Sequence, residues 1–159
     1  MADERLPSFD LVVATVDRVA ELERLLASVQ AQTHRAVRVL LVDQNEDDRL
    51  EPVLQEQRSF NLVRLHAQRG LSRARNAALE DISADLVAFP DDDCVFASDL
   101  LERVALRFAG DRALDGLTGR AVDESRDILE GETAGVRPVR SRPGREKRTG
   151  WRVGVVVHQ

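Results

Sequence analysis

The sequence predicts an α/β fold: a mainly parallel sheet with helices on its faces. Three observations predict it. Short, almost continuous apolar runs recur along the chain, as strands buried on both faces require. Segments with apolar residues at helical spacing alternate with them. Polar loops follow the apolar runs, and right-handed parallel crossovers collect such loops at one end of a sheet.

Phe9 to Thr15 (FDLVVAT) is the first such run. Asp17 follows as a candidate N-cap, and Val19, Leu22, Leu25, Leu26 and Val29 make a helical stripe. Arg38 to Val42 (RVLLV) reads as the second strand, ending at the polar loop Asp43-Gln44-Asn45-Glu46-Asp47-Asp48. A short helix is expected within Pro52 to Arg58, and a third strand over Asn61 to Leu65. Ser72 is a candidate cap for a helix over Arg73 to Asp81, whose Ala74, Ala77 and Ala78 allow close packing. Asp85 to Phe89 reads as the fourth strand, stopped by Pro90 and a carboxylate run. Ser98 is placed to cap a helix bearing Leu101, Val104, Ala105 and Phe108, before a fifth strand over Gly116 to Val122.

Periodicity then fades. Residues 123–150 carry Arg, Glu, Gly and two prolines, and read as a flexible or disordered loop. Residues 151–159 read as an extra strand or tail. Charge changes at the same place. Residues 1–122 hold 22 acids and 15 bases, whereas residues 123–159 hold 6 acids and 8 bases. The main expected unit is therefore residues 1–122.

The 159 residues suit one domain, and 43% hydrophobic with 32% charged residues is an ordinary globular balance. The net charge of −5 argues against nucleic acid as a partner. A single cysteine, Cys94, excludes an intrachain disulfide. With no signal peptide and no apolar transmembrane stretch, the expectation is a cytoplasmic protein, with peripheral membrane attachment left open.

Three features carry chemistry. The first is Asp91-Asp92-Asp93. In extended backbone Asp91 and Asp93 would share one side and Asp92 the other. Carboxylates about 6 Å apart repel by about 3 kcal/mol at an effective dielectric of 20, and a hard divalent cation relieves this. The alternative is a solvated acidic turn. The second is Asp43, directly after a strand. The turn after the first strand, Ala14-Thr15-Val16-Asp17-Arg18, lacks the glycines of a dinucleotide site, so Asp43 is a hydrogen-bond acceptor for a base or sugar, or simply one of a solvated acidic cluster. The third is Arg69-Gly70-Leu71-Ser72-Arg73-Ala74-Arg75-Asn76, with three arginines at a helix start. Cations are disfavoured there unless an anion binds, and phosphate suits both guanidinium and orphan N–H groups. Pairing with Glu80 and Asp81 is the alternative.

Taken in order, V-V-A-T-V-D-R, L-L-V-D, G-L-S-R-A-R-N-A-A-L and F-P-D-D-D resemble the N-terminal part of family 2 glycosyltransferases over residues 9–122. The resemblance implies a GT-A fold, Rossmann-like, with its C-terminal part shortened here. It implies an inverting, metal-dependent transfer from a nucleotide-diphosphate sugar to a hydroxyl acceptor. It also implies roles. Thr15 and Asp17 line the base pocket, and Asp43 bonds the base. Arg75, with Arg69 and Arg73, lies near base or diphosphate. Asp91 and Asp93 form the DxD pair for Mn²⁺ or Mg²⁺, with Asp93 the first choice, and Asp92 approaches the ribose.

The chain departs from the family pattern at Val16 and Asp17, where an aromatic residue and Asn are usual. No general base is identified: Asp123, Glu124, Asp127, Glu130 and Glu132 lie in a stretch without helical periodicity. A nucleotide-sugar-binding module without turnover is therefore the second reading. A nucleotidyltransferase is the third, disfavoured by the absence of a Gly-rich loop after the first strand. Cys94 reads as a packing residue, Trp151 as an anchor for the last strand, and His158 as a terminal residue that could serve as a further metal ligand. Homo-oligomerisation through the Trp151–Val157 region or an open sheet edge is also expected.

Overall fold

A computed structural model describes residues 5–120, 137–139 and 152–158; for Arg120 and the two later segments it describes the backbone alone. The elements run β1 (Phe9–Thr15), α1 (Val19–Gln30), β2 (Val37–Asp43), α2 (Glu51–Leu54), β3 (Asn61–His66), α3 (Leu71–Ala78), a 3₁₀ turn (Leu79–Asp81), β4 (Leu86–Pro90), α4 (Leu100–Gly110), β5 (Gly116–Arg120), β6 (Arg137–Val139) and β7 (Arg152–His158). They build a sheet of order β3-β2-β1-β4-β7-β5-β6. All neighbours pair in parallel except β5 and β6. This is the expected α/β architecture.

Both faces of the central strands are buried, and side-chain alternation divides them. Phe9, Leu11, Val13, Val39, Leu41, Leu86 and Ala88 face the larger core with α1 and α4, through Leu22, Leu25, Leu26, Leu101, Val104 and Phe108. Val12, Leu40, Val42 and Val87 face the other side, where Ala74 and Ala78 of α3 pack. Fully burying one Leu or Val contributes about 1.5–3 kcal/mol, so apolar residues alternating onto both faces hold the sheet in its register. The small face of α3 lets that helix lie close to the ends of β1 and β2, which brings its arginines near the sheet's edge of loops.

Local signals moved by a residue or two. α1 begins after Arg18, and Asp17 does not cap it. Asp17 adopts φ 60°, a left-handed conformation that Asp and Asn tolerate better than most residues. α3 starts at Leu71 with Gly70 in the cap position, so Ser72 lies inside the helix. Gly70 has φ 140°, which an L side chain rarely adopts. α4 starts at Leu100 after Asp99, one residue beyond Ser98.

The region expected to be a loop, residues 123–150, lies outside the described residues except for β6. Trp151 and the acids Asp123, Glu124, Asp127, Glu130 and Glu132 also lie outside them. The last strand, β7, lies between β4 and β5. Its edges are paired on both sides, so β7 is no open edge for self-association; β3 and β6 end the sheet.

One buried charge pins the end of the sheet opposite the polar loops. Asp10 is 1% exposed. It accepts Arg38 Nε at 2.8 Å and Nη2 at 2.7 Å, and the N–H groups of Ser83 and Ala84. Burial pushes this carboxyl up, but those donors together outweigh it and hold it below the ordinary value. A depressed folded value means that the carboxylate's stabilisation is present above the ordinary carboxylate range and is lost as pH falls through the folded value. Asp10→Asn should cost about 3 kcal/mol at neutral pH, by leaving Arg38 with a weakened partner. Denaturant melts from pH 7 to pH 3 should show the wild-type advantage shrinking with acid; a constant difference would contradict this account.

Candidate donor site

Parallel pairing places the C-terminal ends of β1, β2, β3 and β4 on one side. Thr15 pairs with Asp43, and Asp43 with His66. Three loops meet there. The turn after β1 carries Val16, Asp17 and Arg18. The loop after β2 carries Gln44 and Asn45. The acidic turn after β4 carries Asp91, Asp92 and Asp93. The Arg69–Gly70 entry to α3 closes the fourth side.

Hydrogen bonds tie these loops together. The Thr15 hydroxyl donates to Asp92 Oδ2 at 2.8 Å, in a buried setting. Gln44 N–H donates to the Thr15 carbonyl, and Gly70 N–H donates to Gln44 Oε1 at 2.7 Å. Asp17 N–H donates to Asn45 Oδ1 at 2.8 Å. The Asp17 carboxylate accepts Arg49 Nη1 at 2.6 Å and Arg69 Nη2 at 2.9 Å. Asp17 therefore joins loops that are 32 and 52 residues away in sequence. A helix cap would have served only its own helix.

The loops enclose a cavity of about 350 Å³, lined by Val16, Arg18, Gln44, Arg69, Leu71 and the three aspartates among others. A second cavity, of about 590 Å³, adjoins it through Gln44 and Arg69 and runs along Asn45, His66, Gln68 and Arg73. The walls combine cations, carboxylates and the exposed side chain of Leu71.

The acidic run is a turn, closed by Cys94 N–H donating to the Asp91 carbonyl. It is not extended backbone, so the strict alternation expected for the three carboxylates does not hold. Asp92 and Asp93 both reach Arg18, whose Nη1 lies 3.3 Å from Asp92 Oδ1 and 2.6 Å from Asp93 Oδ2. Asp91 lies 3.6 Å from Arg75, whose guanidinium stacks 5.7 Å from the Phe89 ring centre. Burial pushes the Asp92 carboxyl above its ordinary value, and the Thr15 hydroxyl and Arg18 counter this only in part. Asp93 Oδ1 is buried and has no hydrogen-bond partner among the described residues. An unpartnered carboxylate oxygen is costly, and a hard cation is a fitting partner for it. Among the described residues no three His, Cys, Asp or Glu side chains gather as a metal-binding group.

Two expected residues are buried and already hydrogen-bonded. Thr15 is buried, with its hydroxyl engaged by Asp92. Asp43 is 0% exposed. Its Oδ1 accepts the backbone and side-chain amides of Asn45, and its Oδ2 accepts Arg64 Nε at 3.0 Å and Nη2 at 2.6 Å. Asp43 thus lines the second cavity with its carboxylate already engaged, and organises the Asn45 loop. Arg69 and Arg73 are exposed beside it, and Arg73 reaches Gln68. Cys94 is buried and burial pushes its thiol up, in keeping with a packing role. His158 follows Val157, the backbone partner of Pro90, so its backbone lies at the same end of the sheet as the acidic turn.

Sequence reasoning overlooked Arg18, Gln44 and Arg64. Arg64 carried a signal, being a lone cation inside an otherwise apolar strand. Gln44 carried one by adjacency, since it follows the last residue of β2. Arg18 had none beyond standing next to Asp17.

Comparison with known proteins agrees with this fold. A glycosyltransferase of Haemophilus influenzae with no assigned role is 29% identical over 96 residues, which is 59% of this chain and 32% of that protein. S. aureus TarS residues 1–349, solved in complex with UDP-GlcNAc, superpose with a TM-score of 0.66 at 22% identity, over 77% of this chain and 37% of that one. The mannosyltransferase PcManGT from Pyrobaculum calidifontis, solved with GDP-Man and Mn²⁺, superposes with a TM-score of 0.62 at 19% identity, over 74% of this chain and 36% of that one. The chain thus spans about a third of the length of these relatives. The two structures share the GT-A fold with this protein. Among the described residues no helix is long and apolar enough to cross a membrane. With the glycosyl transferase family 2 profile matching residues 10–158, the chain belongs to that family.

Proposed function

We propose that this chain holds the donor site of a metal-dependent glycosyltransferase, which binds a nucleoside-diphosphate sugar for transfer to a hydroxyl acceptor. The observation that carries the reading is the meeting of the acidic turn, the Arg69–Arg75 segment and the Gln44 loop around one cavity. Each of the three matches one part of such a donor. Nucleotide sugars bound by structural relatives, UDP-GlcNAc in one and GDP-Man in another, support the choice of ligand class.

The base lies between Val16 and Leu71, whose apolar surfaces accept a flat ring in place of aromatic stacking. Gln44 reads its edge. The Oε1 of Gln44 is occupied by Gly70 N–H, which leaves Nε2 as a donor toward a base carbonyl or ring nitrogen. This assigns to Gln44 the base contact first expected of Asp43, whose carboxylate is saturated by Asn45 and Arg64. Asp92, held by Thr15, faces the ribose. Arg69, Arg73 and Arg75 supply positive charge to the diphosphate.

Asp93 and Asp91 would hold Mn²⁺ or Mg²⁺, and the unpartnered Asp93 Oδ1 fits that role. Such an ion, when bound, neutralises charge on the diphosphate leaving group. Two carboxylates would leave such an ion open to oxygen ligands from outside the chain. PcManGT, solved with Mn²⁺, supports this assignment.

Calorimetric titration with UDP-, GDP- and dTDP-sugars, with and without Mn²⁺, tests the reading. Saturable, Mn²⁺-dependent binding of one of them is expected, and failure of all three would refute it. Binding with neither hydrolysis nor transfer would leave a nucleotide-sugar-binding module. Asp93→Ala should remove the Mn²⁺ dependence while keeping a cooperative thermal melt; undiminished affinity in that variant would contradict the metal assignment. Gln44→Ala should weaken nucleoside diphosphate binding about tenfold and leave inorganic pyrophosphate binding unchanged. Gln44→Glu, which keeps an acceptor for Gly70 N–H but has no donor, should lose as much. Equal losses for pyrophosphate would make Gln44 a scaffold residue and not a base reader.

A further inference from the structure

Arg18 stands where two different charges would need it. Its Nη1 alone bridges Asp92 and Asp93, at 3.3 Å and 2.6 Å. The contact is made by one nitrogen, not by the two-pronged geometry that makes Arg–carboxylate pairs strong. The side chain is 50% exposed, and pairs of that exposure are weak and readily exchanged. The bridge also leaves Asp93 Oδ1 without a partner. Arg18 therefore neutralises the acidic turn without satisfying it.

The turn does not depend on Arg18 for its shape. The Thr15 hydroxyl holds Asp92 from below, and the Asp91 carbonyl accepts Cys94 N–H within the turn. Arg18 can leave without collapsing the site. It lines the same cavity as Arg69, within the space a diphosphate would occupy. A guanidinium freed from Asp93 thus has an anion to meet, and phosphate oxygens suit its flat array of donors.

We propose that Arg18 is a switch residue shared by the two ligands of this site: it competes with the divalent cation for Asp93, and becomes a diphosphate ligand when displaced. The inference rests on the donor-site reading above. Its consequence is coupling. Donor binding offers Arg18 a new partner and uncovers the carboxylates, so nucleotide and metal each raise the other's affinity, and by linkage they do so equally. Cation binding without a nucleotide is held down by the protein's own arginine.

The test is a pair of titrations on wild type, Arg18→Lys and Arg18→Gln. Mn²⁺ binding without nucleotide is followed by the electron paramagnetic resonance of free Mn²⁺, and UDP, GDP and dTDP binding by calorimetry at fixed Mn²⁺. Arg18→Gln should bind Mn²⁺ about tenfold more tightly, and should bind whichever nucleotide the wild type prefers about tenfold more weakly. Arg18→Lys should fall between on both scales. These opposite signs separate a shared residue from a structural one, whose loss would disorder the turn and weaken both ligands together. Equal or weaker Mn²⁺ binding by Arg18→Gln overturns the proposal, as does an unchanged nucleotide affinity. If the wild type binds none of UDP, GDP and dTDP, the donor-site reading itself falls and takes this inference with it.

Discussion

Parallel pairing of β1 with both β2 and β4 decides where every polar loop of this protein lies. Parallel strands begin at one end of the sheet and finish at the other, so loops far apart in sequence become neighbours. Thr15 ends β1 beside Asp43, which ends β2, and the turn after β4 returns to the same place. The Thr15–Asp92 hydrogen bond, buried at 2.8 Å, is the direct weld between two of these ends. It fixes the acidic turn against the end of β1, beside Gln44. The apolar alternation of Leu11, Val12 and Val13 onto opposite faces holds that register, because a slip by one residue would exchange the two cores.

Electrostatics then shape the site. Its carboxylates divide into two kinds. Asp43 is saturated by four donor contacts and acts as scaffold. Asp92 and Asp93 share a single guanidinium nitrogen, and one oxygen of Asp93 has no partner among the described residues. Charge left unsatisfied in a low-dielectric pocket is costly, and it is at functional sites that folds tolerate such a cost. Asp17 shows the same economy in its backbone. Its left-handed conformation lets one carboxylate bind Arg49 and Arg69 together, joining the rims of the cavity.

Membership of glycosyl transferase family 2 rests on a match across nearly the whole chain, from residue 10 to residue 158. The described residues build the parallel sheet of that fold and the cavity at its loop end. Chemistry at the acceptor needs a group that removes a hydroxyl proton, and the acids first weighed for it, Asp123 to Glu132, lie outside the described residues. What the geometry settles is therefore the charge balance of the cavity, in which Gln44 and Arg18 tie the loops together.

Strand runs such as FDLVVAT and RVLLV, the alternating helices and the ordered motifs were legible in the sequence alone, because buried parallel strands and amphipathic helices leave periodic apolar patterns. The family likeness and the acidic, arginine-rich segments were legible for the same reason: each is local in sequence. Tertiary structure alone decided which polar groups are spent and which are free. Asp43 looked available until Arg64, 21 residues away, was found on its carboxylate. Gln44 is oriented by Gly70, which takes its oxygen, and Arg18 by two aspartates more than 70 residues later. The insertion of β7 between β4 and β5 was equally invisible, since strand order depends on pairing across the sheet. Hydrogen-bond saturation and ion pairing are properties of partners brought together by folding, and no periodicity in a single chain records them.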